Sequence, residues 1–195
     1  MRIVGGRWAG RALTSPADRH VRPTSEVVRV ALLELVRAEL TGARVLDLFA
    51  GTGALGLEAL SRGAASADFV ETRPASLHAL KANIALLHVR ERTRVFKRDA
   101  IPFAAALTAG AYDLAFADPP YGSRMADRVI ESWLAAPYAR VLAVEHEAGQ
   151  PLPGAGRLHA FGDTALTIYR AAPGDEAPGP PPPAARRGPR GAPPA

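Results

Sequence analysis

Short apolar segments alternate with helical patterns from residue 44 onward, and this alternation constrains the fold more than any other feature of the sequence. Each apolar segment has the length of a buried strand, and the segments between them repeat their apolar residues at helical spacing. Repeated strand–helix units form a mostly parallel, twisted sheet with helices on both faces. The predicted strands are Val45–Phe49, Ala67–Val70, Val95–Lys97, Tyr112–Ala117 and Val141–Glu145, and the helices between them are Ala54–Arg62, Pro74–His88, Ile101–Leu107 and Ala126–Ala135.

The chain before this pattern is rich in glycine and arginine. Residues 1–23 predict a short hairpin or an extended basic arm. A helix is predicted to follow, beginning at Thr24 or Ser25, which are residue types that cap helix N-termini, and ending near Leu40.

The last part of the chain also departs from strand–helix alternation. Arg157–Phe161 and Ala165–Tyr169 flank a Gly-Asp turn and predict a hairpin at an antiparallel edge, which brings the α/β sheet to seven strands. Nine of the 18 prolines follow residue 170, where few apolar side chains could offset the entropy of ordering. We therefore expect a basic arm or hairpin over 1–23, one α/β domain over 24–170 and a disordered Pro/Gly/Arg-rich tail over 171–195.

The composition excludes several classes of protein. The 195 residues fit one domain, and the absence of cysteine excludes a disulfide framework and thiolate metal sites. No apolar run approaches the roughly 18 residues of a membrane span, and the first residues lack the apolar stretch of a signal peptide. The five histidines show no metal-ligand spacing. We expect a cytoplasmic, monomeric protein that needs no membrane and no metal.

The positive charge is concentrated near the start of the chain. Residues 1–22 contain five arginines against one aspartate, a net charge of +4, whereas the whole chain carries +5. A local cluster of fixed positive charge favours a polyphosphate partner such as a nucleic acid.

A glycine-rich turn follows the first predicted strand. The segment Asp47–Gly56 contains Gly51, Gly53 and Gly56, which match the pattern G-x-G-x-x-G at the start of a helix. Glycine lets the backbone turn tightly and approach a ligand. The pattern is compatible with a dinucleotide or with S-adenosylmethionine (SAM), which has one adenosine and no pyrophosphate.

Two acids follow the next two predicted strands. Glu71 comes 20 residues after Gly51, where a carboxylate can accept hydrogen bonds from both ribose hydroxyls. Asp99 follows the third strand, where it can accept from an adenine amino group or cap the next helix. Both a dinucleotide and SAM predict the acid at Glu71, so it does not separate them.

The segment Asp118-Pro119-Pro120-Tyr121 after the fourth predicted strand distinguishes the ligands. The prolines fix the backbone and remove two N–H donors, which leaves the Asp118 carboxylate and the Pro119 carbonyl as acceptors beside an aromatic ring. Two acceptors suit the exocyclic amino group of a nucleobase, whose lone pair they can direct toward a methyl sulfonium. Tyr121 would stack on the base. Hydride transfer has no use for this arrangement.

These motifs resemble the class I SAM-dependent methyltransferases, and among them the bacterial 16S rRNA guanine-N2 methyltransferase family. The resemblance covers about residues 2–170. It rests on the long segment 47–64, on Phe69-Val70-Glu71, on Asp118 to Tyr121 and on Val144-Glu145, together with the N-terminal Arg/Gly segment and Arg22-Pro23-Thr24. It departs from the family pattern at Val27, Val30 and Leu33, where an Arg, a Glu and a Phe are common, and at Thr72-Arg73, where an acid often appears.

The resemblance implies a Rossmann-like fold and a role for each motif. Asp47, Gly51 and Gly53 would hold the amino-acid end of SAM, Glu71 the ribose and Asp99 the adenine, with Phe49 and Thr52 completing the cofactor site. Asp118, Pro119, Pro120 and Tyr121 would hold a flipped guanine of 16S rRNA in the small ribosomal subunit. Arg2, Arg7, Arg11, Arg22 and Thr24 would contact rRNA.

Three other functions remain open from the sequence. The D-P-P-Y motif also occurs in adenine-N6 methylases that act on DNA or RNA. The glycine pattern is compatible with a dinucleotide-dependent oxidoreductase. A non-catalytic RNA-binding protein could keep the same fold and the basic arm.

Overall fold

The computed structural model describes residues 1–16 and 25–172. It contains one seven-stranded sheet with the order β3-β2-β1-β4-β5-β7-β6. The strands are β1 Arg44–Leu48, β2 Ser66–Val70, β3 Thr93–Phe96, β4 Tyr112–Ala117, β5 Ala139–Glu147, β6 Arg157–Phe161 and β7 Thr164–Arg170. The helices are α1 Glu26–Leu35, α2 Ala54–Ser61, α3 Pro74–Leu86, α4 Ala100–Ala105 and α5 Met125–Ala135. No helix in the described ranges is both long and apolar enough to cross a membrane.

The sheet topology matches the α/β prediction. Strands β1 to β5 are parallel, whereas β7 runs antiparallel to β5 and pairs on its other side with β6. The chain builds outward from β1 to β3 in one direction and then from β4 in the other. The strand order therefore reverses between β1 and β4, and ligands of open α/β sheets bind outside the carboxyl ends of the strands at such a point.

Several element ends differ from the sequence-based prediction. The helix predicted to reach about Leu40 ends at Leu35, and a separate 3-10 turn covers Arg37–Glu39. Strand β5 is longer than predicted because its pairing with β7 extends to Glu147. Ser25 caps α1, since its side-chain oxygen accepts a hydrogen bond from the Val28 N–H at 3.1 Å. The alternative cap, Thr24, and nearly all of the predicted tail lie outside the described residues.

Helices cover both faces of the sheet, as predicted. Alternate residues of β1 point to opposite faces, so Val45 packs with α1, α2 and α3, whereas Leu46 and Leu48 pack with α4 and α5. Because both faces are buried, the central strands are nearly continuous in apolar residues.

Residues 1–13 form a hairpin that packs on the domain. The Ile3 N–H donates to the Arg11 carbonyl at 2.9 Å, and the Gly10 N–H donates to the Ile3 carbonyl at 2.8 Å. Ile3 and Leu13 are buried in the core on the α1–α3 side. Gly6 has φ 77°, and a Cβ there would lie 2.0 Å from the Ser61 carbonyl oxygen, so only glycine permits this close approach to α2.

A buried ion pair fixes the hairpin to the helices. Glu58 of α2 is fully buried and accepts from the N–H groups of Val4 and Gly5, at 2.9 Å and 2.7 Å. Arg29 of α1, only 1% exposed, donates to the Arg2 carbonyl at 2.8 Å, and its Nε lies 3.7 Å from Glu58 Oε2. The hairpin backbone thus forms hydrogen bonds with the two charged side chains, Arg29 and Glu58, that α1 and α2 bury.

Candidate active site

Four residues lie at the same level of four neighbouring strands: three directly follow their strands, and the fourth lies within β5. In the sheet register Leu48 pairs with Val70 and Ala117, and Ala117 pairs with Val144. The next residues, Glu71, Phe49, Asp118 and Glu145, therefore occupy equivalent positions on β2, β1, β4 and β5 at spacings of about 4.8 Å. All four line one cavity of about 820 Å³.

The glycine-rich turn forms one wall of this cavity. Phe49 and Gly51 have φ 62° and φ 54°, both in the left-handed region. This conformation is uncommon for a residue with a side chain, and such strain clusters at functional sites. The Phe49, Gly51 and Thr52 positions line the cavity. Gly53 is absent from the lining; it caps α2 at φ 79°, where a Cβ would lie 2.4 Å from Leu80 Cδ1.

Asp47 is a buried carboxylate beneath the turn. It is 2% exposed, lines the cavity, and its Oδ2 accepts a hydrogen bond from the Gly56 N–H at 2.9 Å. Burial raises the pKa of Asp47 to about 7; the negative charges of Asp118 and Glu71 raise it further, and the Gly56 hydrogen bond opposes the increase. With a pKa of about 7, the carboxyl is partly protonated at neutral pH.

Glu71 is held rigidly at the end of β2. One carboxylate oxygen accepts from the Gly51 N–H at 2.8 Å, and the other accepts from the N–H groups of Thr72 and Arg73 at 2.7 Å and 2.8 Å. The Arg73 guanidinium also lies 3.5 Å from this carboxylate. Glu71 therefore connects its own strand end to the glycine turn, and it faces the cavity as a positioned acceptor.

Asp99 caps a helix and also lines the cavity. Its Oδ1 accepts a hydrogen bond from the Ile101 N–H at 2.9 Å and so caps α4. It also lines the cavity, beside Arg98. The cap occupies the Oδ1 oxygen, and the Asp99 side chain remains part of the cavity wall.

The Asp118–Tyr121 segment begins two strands away from Glu71 in this row. Pro119 is buried, Asp118 and Tyr121 are half-buried, and all four residues of the segment line the cavity. The Tyr121 hydroxyl is 2.9 Å from Thr164 Oγ1 and donates to Glu145 Oε1 at 3.3 Å. Burial raises the pKa of Tyr121, so the phenol stays protonated and able to donate. The ring is thereby anchored to the edge strands.

The residues predicted to contact RNA lie partly on the N-terminal hairpin. Arg2, Arg7 and Arg11 are exposed there; Arg2 pairs with Glu26 at 3.0 Å, and the Arg7 guanidinium lies 5.8 Å from the Trp8 ring centroid. Arg22 and Thr24 lie outside the described residues. Met1, at the start of the hairpin, lines the cavity, and so does Glu26, the partner of Arg2. Arg7 lies in a turn that packs against Ser61, at the other end of α2 from the cavity.

Glu145 and Thr164 are cavity residues that the sequence-based assignment missed. Glu145 directly follows the buried segment Val141–Val144, which is the same signal that identified Asp118. Thr164 had no such signal, because it reaches the cavity only through the antiparallel pairing of β7 with β5. Within residues 1–16 and 25–172, no cluster of His, Asp and Glu could hold a metal ion.

The strand order, the glycine turn and the acidic row define a Rossmann-like class I methyltransferase fold, and solved structures agree. A protein of Thermus thermophilus described as hypothetical has a TM-score of 0.74 at 31% identity, over 88% of this chain and 99% of that chain. A 16S rRNA N2 methyltransferase of the same species, in complex with AdoMet and guanosine, shares the fold with a TM-score of 0.61 at 20% identity, over 80% of this chain and 45% of that chain.

Sequence comparison gives the family. The family model described as "Conserved hypothetical protein 95" matches residues 1–167. Ribosomal RNA small subunit methyltransferase D of Escherichia coli K12 is 36% identical over 179 residues, which cover 87% of this chain and 89% of that relative. The chain belongs to this bacterial 16S rRNA methyltransferase family.

Proposed function

We propose that the protein transfers a methyl group from SAM to the exocyclic N2 of a guanine in 16S rRNA of the small ribosomal subunit. The observation that carries this proposal is that Asp118, Pro119 and Tyr121 line the same cavity as the glycine turn and Glu71. The groups that suit a base amine and the groups that suit an adenosyl cofactor thus open into one space. The family to which the chain belongs supports the 16S rRNA substrate.

The cavity residues fit SAM in charge and in spacing. Asp47 would attract the ammonium group, Glu71 would accept from the ribose hydroxyls, and Asp99 would accept from the adenine amino group. Gly51 leaves room for close approach, since a Cβ there would meet no atom nearer than 4.0 Å. SAM supplies an electrophilic methyl group on a sulfonium when bound.

Asp118 and Pro119 would prepare the base. The Asp118 carboxylate and the Pro119 carbonyl each accept one N–H of the guanine amino group, which favours a pyramidal nitrogen with its lone pair directed at the methyl carbon. Tyr121 stacks on the base while its hydroxyl stays fixed by Thr164 and Glu145. The N–C bond forms as the S–C bond breaks, and the methylated nitrogen then loses a proton to solvent, so no strong base is required.

The assay that tests this function uses small subunits and naked rRNA from cells lacking the protein, together with duplex DNA. Incubation with tritiated SAM followed by nucleoside analysis should place the label in N2-methylguanosine of 16S rRNA. Label in N6-methyladenosine would instead support the adenine methylases. Calorimetry with SAM and NAD tests the dinucleotide alternative, and RNA binding without any turnover would support a non-catalytic RNA-binding protein.

The hairpin arginines should contribute to the salt dependence of RNA binding. Extruding a base costs a few kcal/mol of lost stacking, which contacts to flanking phosphates can offset. Replacing Arg7 and Arg11 together with alanine is expected to flatten the slope of log affinity against log salt by roughly one unit per lost phosphate contact. Arg37→Ala with Arg128→Ala, which removes equal charge from exposed positions outside the hairpin, is the control. If the slope changes equally in both double variants, Arg7 and Arg11 make no RNA contact beyond their general charge.

SAM binding should strengthen as the pH rises toward neutrality. The folded pKa of Asp47 is about 7, raised from 3.8, so the carboxyl is protonated at low pH and attracts the ammonium group only after it ionises. Below pH 7 the affinity should rise by up to about tenfold per pH unit, with proton release on binding. Titration calorimetry between pH 5.5 and 7.5, in buffers of different ionisation enthalpy, measures both. Asp47→Asn should bind SAM weakly and without this pH dependence. If the variant instead shows the wild-type dependence of SAM affinity on pH, Asp47 does not contact SAM.

The same shift affects the stability of the protein without ligand. Between pH 3.8 and about 7 the unfolded Asp47 releases a proton that the folded protein retains. Because only the unfolded state gains from ionising this group, the free energy of unfolding falls as the pH rises through that window. SAM binding offsets the loss because it provides the missing cation.

A further inference from the structure

Glu145 is a second carboxylate at the base end of the cavity, and the transfer reaction described above does not require it. It is 5% exposed and lines the cavity. Because Ala117 pairs with Val144 in parallel register, Glu145 stands next to Asp118 on the neighbouring strand, about 4.8 Å away along the sheet. Two acids therefore stand side by side where one would be enough to hold an amino group.

A hydrogen bond within the site joins Glu145 to the ring proposed to stack on the base. Its Oε1 accepts from the Tyr121 hydroxyl at 3.3 Å, and that hydroxyl is also 2.9 Å from Thr164 Oγ1. The carboxylate thus borders the same ring that would stack on the base. A base stacked on Tyr121 would share the cavity with the carboxylates of Asp118 and Glu145.

The hydrogen-bonding edges of guanine and adenine differ at this point. Guanine presents three N–H donors in a row, two on N2 and one on N1. Adenine presents two donors on N6, but its N1 is an acceptor. A carboxylate beside the amino-group site can accept from the guanine N1–H, whereas it would face the adenine N1 lone pair with no proton between them. A buried acceptor left unpaired in this way costs binding energy.

We propose that Glu145 determines the base specificity by accepting the guanine N1–H, while Asp118 and Pro119 accept the two N2 hydrogens. This inference rests on the proposed function. It explains how a D-P-P-Y segment, which also serves adenine methylases, acts on guanine in this chain: the specificity comes from the adjacent strand β5. Sites built to hydrogen-bond a particular group discriminate strongly against analogues that lack it.

The test uses 2-aminopurine, which keeps the 2-amino group of guanine but has no proton on N1. Small subunits are reconstituted with 16S rRNA that carries either guanine or 2-aminopurine at the mapped target position. Wild-type protein is expected to prefer guanine by about 100-fold or more in kcat/KM. Glu145→Gln, whose amide can donate to the unprotonated N1, is expected to reduce that preference at least tenfold, chiefly through slower reaction with guanine.

A matched pair of variants separates base reading from support of the tyrosine ring. Tyr121→Phe removes the hydroxyl that contacts Glu145, and Thr164→Val removes the other partner of that hydroxyl. If Glu145 only positions Tyr121, then E145Q and Y121F should slow both substrates equally and leave the preference for guanine unchanged, which would overturn the inference. A preference that collapses in E145Q but persists in Y121F and T164V supports it.

The controls distinguish this inference from the proposed function. Wild-type protein that labels no guanine N2 overturns the proposed function itself, whereas labelling with an unchanged preference in E145Q overturns only the role of Glu145. SAM affinity and the unfolding midpoint are measured for each variant. Should E145Q not fold, Glu145→Asp keeps a carboxylate and provides the same ratio: it should retain a preference for guanine, and loss of that preference would contradict the inference.

Discussion

Replacing Asp118 with alanine is expected to slow methyl transfer by roughly 10²–10³-fold while SAM affinity stays near the wild-type value. The carboxylate lies one strand from Glu145 and two strands from Glu71. In the proposed reaction the variant would remove an acceptor of the base amine but would leave in place the groups proposed to hold SAM. Single-turnover kinetics measures the rate, and calorimetry measures SAM binding.

Asp113→Ala is the matched control for this experiment. Asp113 is on the same strand, but its carboxylate pairs with Arg44 at 3.2 Å, at the opposite end of the sheet from the cavity. We expect its loss to leave the transfer rate close to wild type. If Asp118→Ala instead loses SAM affinity while its rate at saturation is retained, the carboxylate belongs to the cofactor and not to the base.

Replacing Glu58 with alanine is expected to lower the free energy of unfolding by roughly 3–5 kcal/mol. The change leaves the guanidinium of Arg29, which is 1% exposed, without its buried counter-charge. It also removes the acceptor of the Val4 and Gly5 N–H groups. Urea unfolding measures the loss, and faster tryptic cleavage at Arg7 and Arg11 would report release of the hairpin.

Glu34→Ala provides the comparison on the surface. Glu34 pairs with Arg62 at 2.6 Å, but its side chain is 47% exposed, so its loss should cost less than about 1 kcal/mol. Glu58→Gln, which keeps an acceptor and removes the charge, should lie between the two. A loss in Glu58→Ala no larger than in Glu34→Ala would show that water reaches Arg29 when Glu58 is removed.

The sequence predicted those parts of the site that depend on one strand and the turn after it. Asp47 lies within a short apolar run, Glu71 and Asp118 each follow one, and parallel strands bring their carboxyl ends to one edge. Gly53 illustrates a limit of this reasoning. The structure gives a reason for glycine here that the motif alone did not: Gly53 has φ 79°, and a Cβ would lie 2.4 Å from Leu80 of the following helix.

Side-chain partnerships between distant elements could not be predicted. Tyr121 lies 24 residues from Glu145 and 43 residues from Thr164, and nothing in local spacing predicts that one hydroxyl meets both. The same holds for the hairpin, which is anchored by Glu58, more than 50 residues away in sequence. These contacts depend on register and on helix packing, which are set by the whole core.

The amino-acid sequence by itself determined the strand–helix alternation, the glycine turn and the acids at the strand ends, because hydrophobic period and turn chemistry are local properties. Only the tertiary structure decided which acids become neighbours and what holds the aromatic ring. The pairing of β4 with β5 places Glu145 beside Asp118, and the insertion of β7 between β5 and β6 brings Thr164 to Tyr121. Strand order arises from the free energy of the complete sheet, and no single segment contains that information.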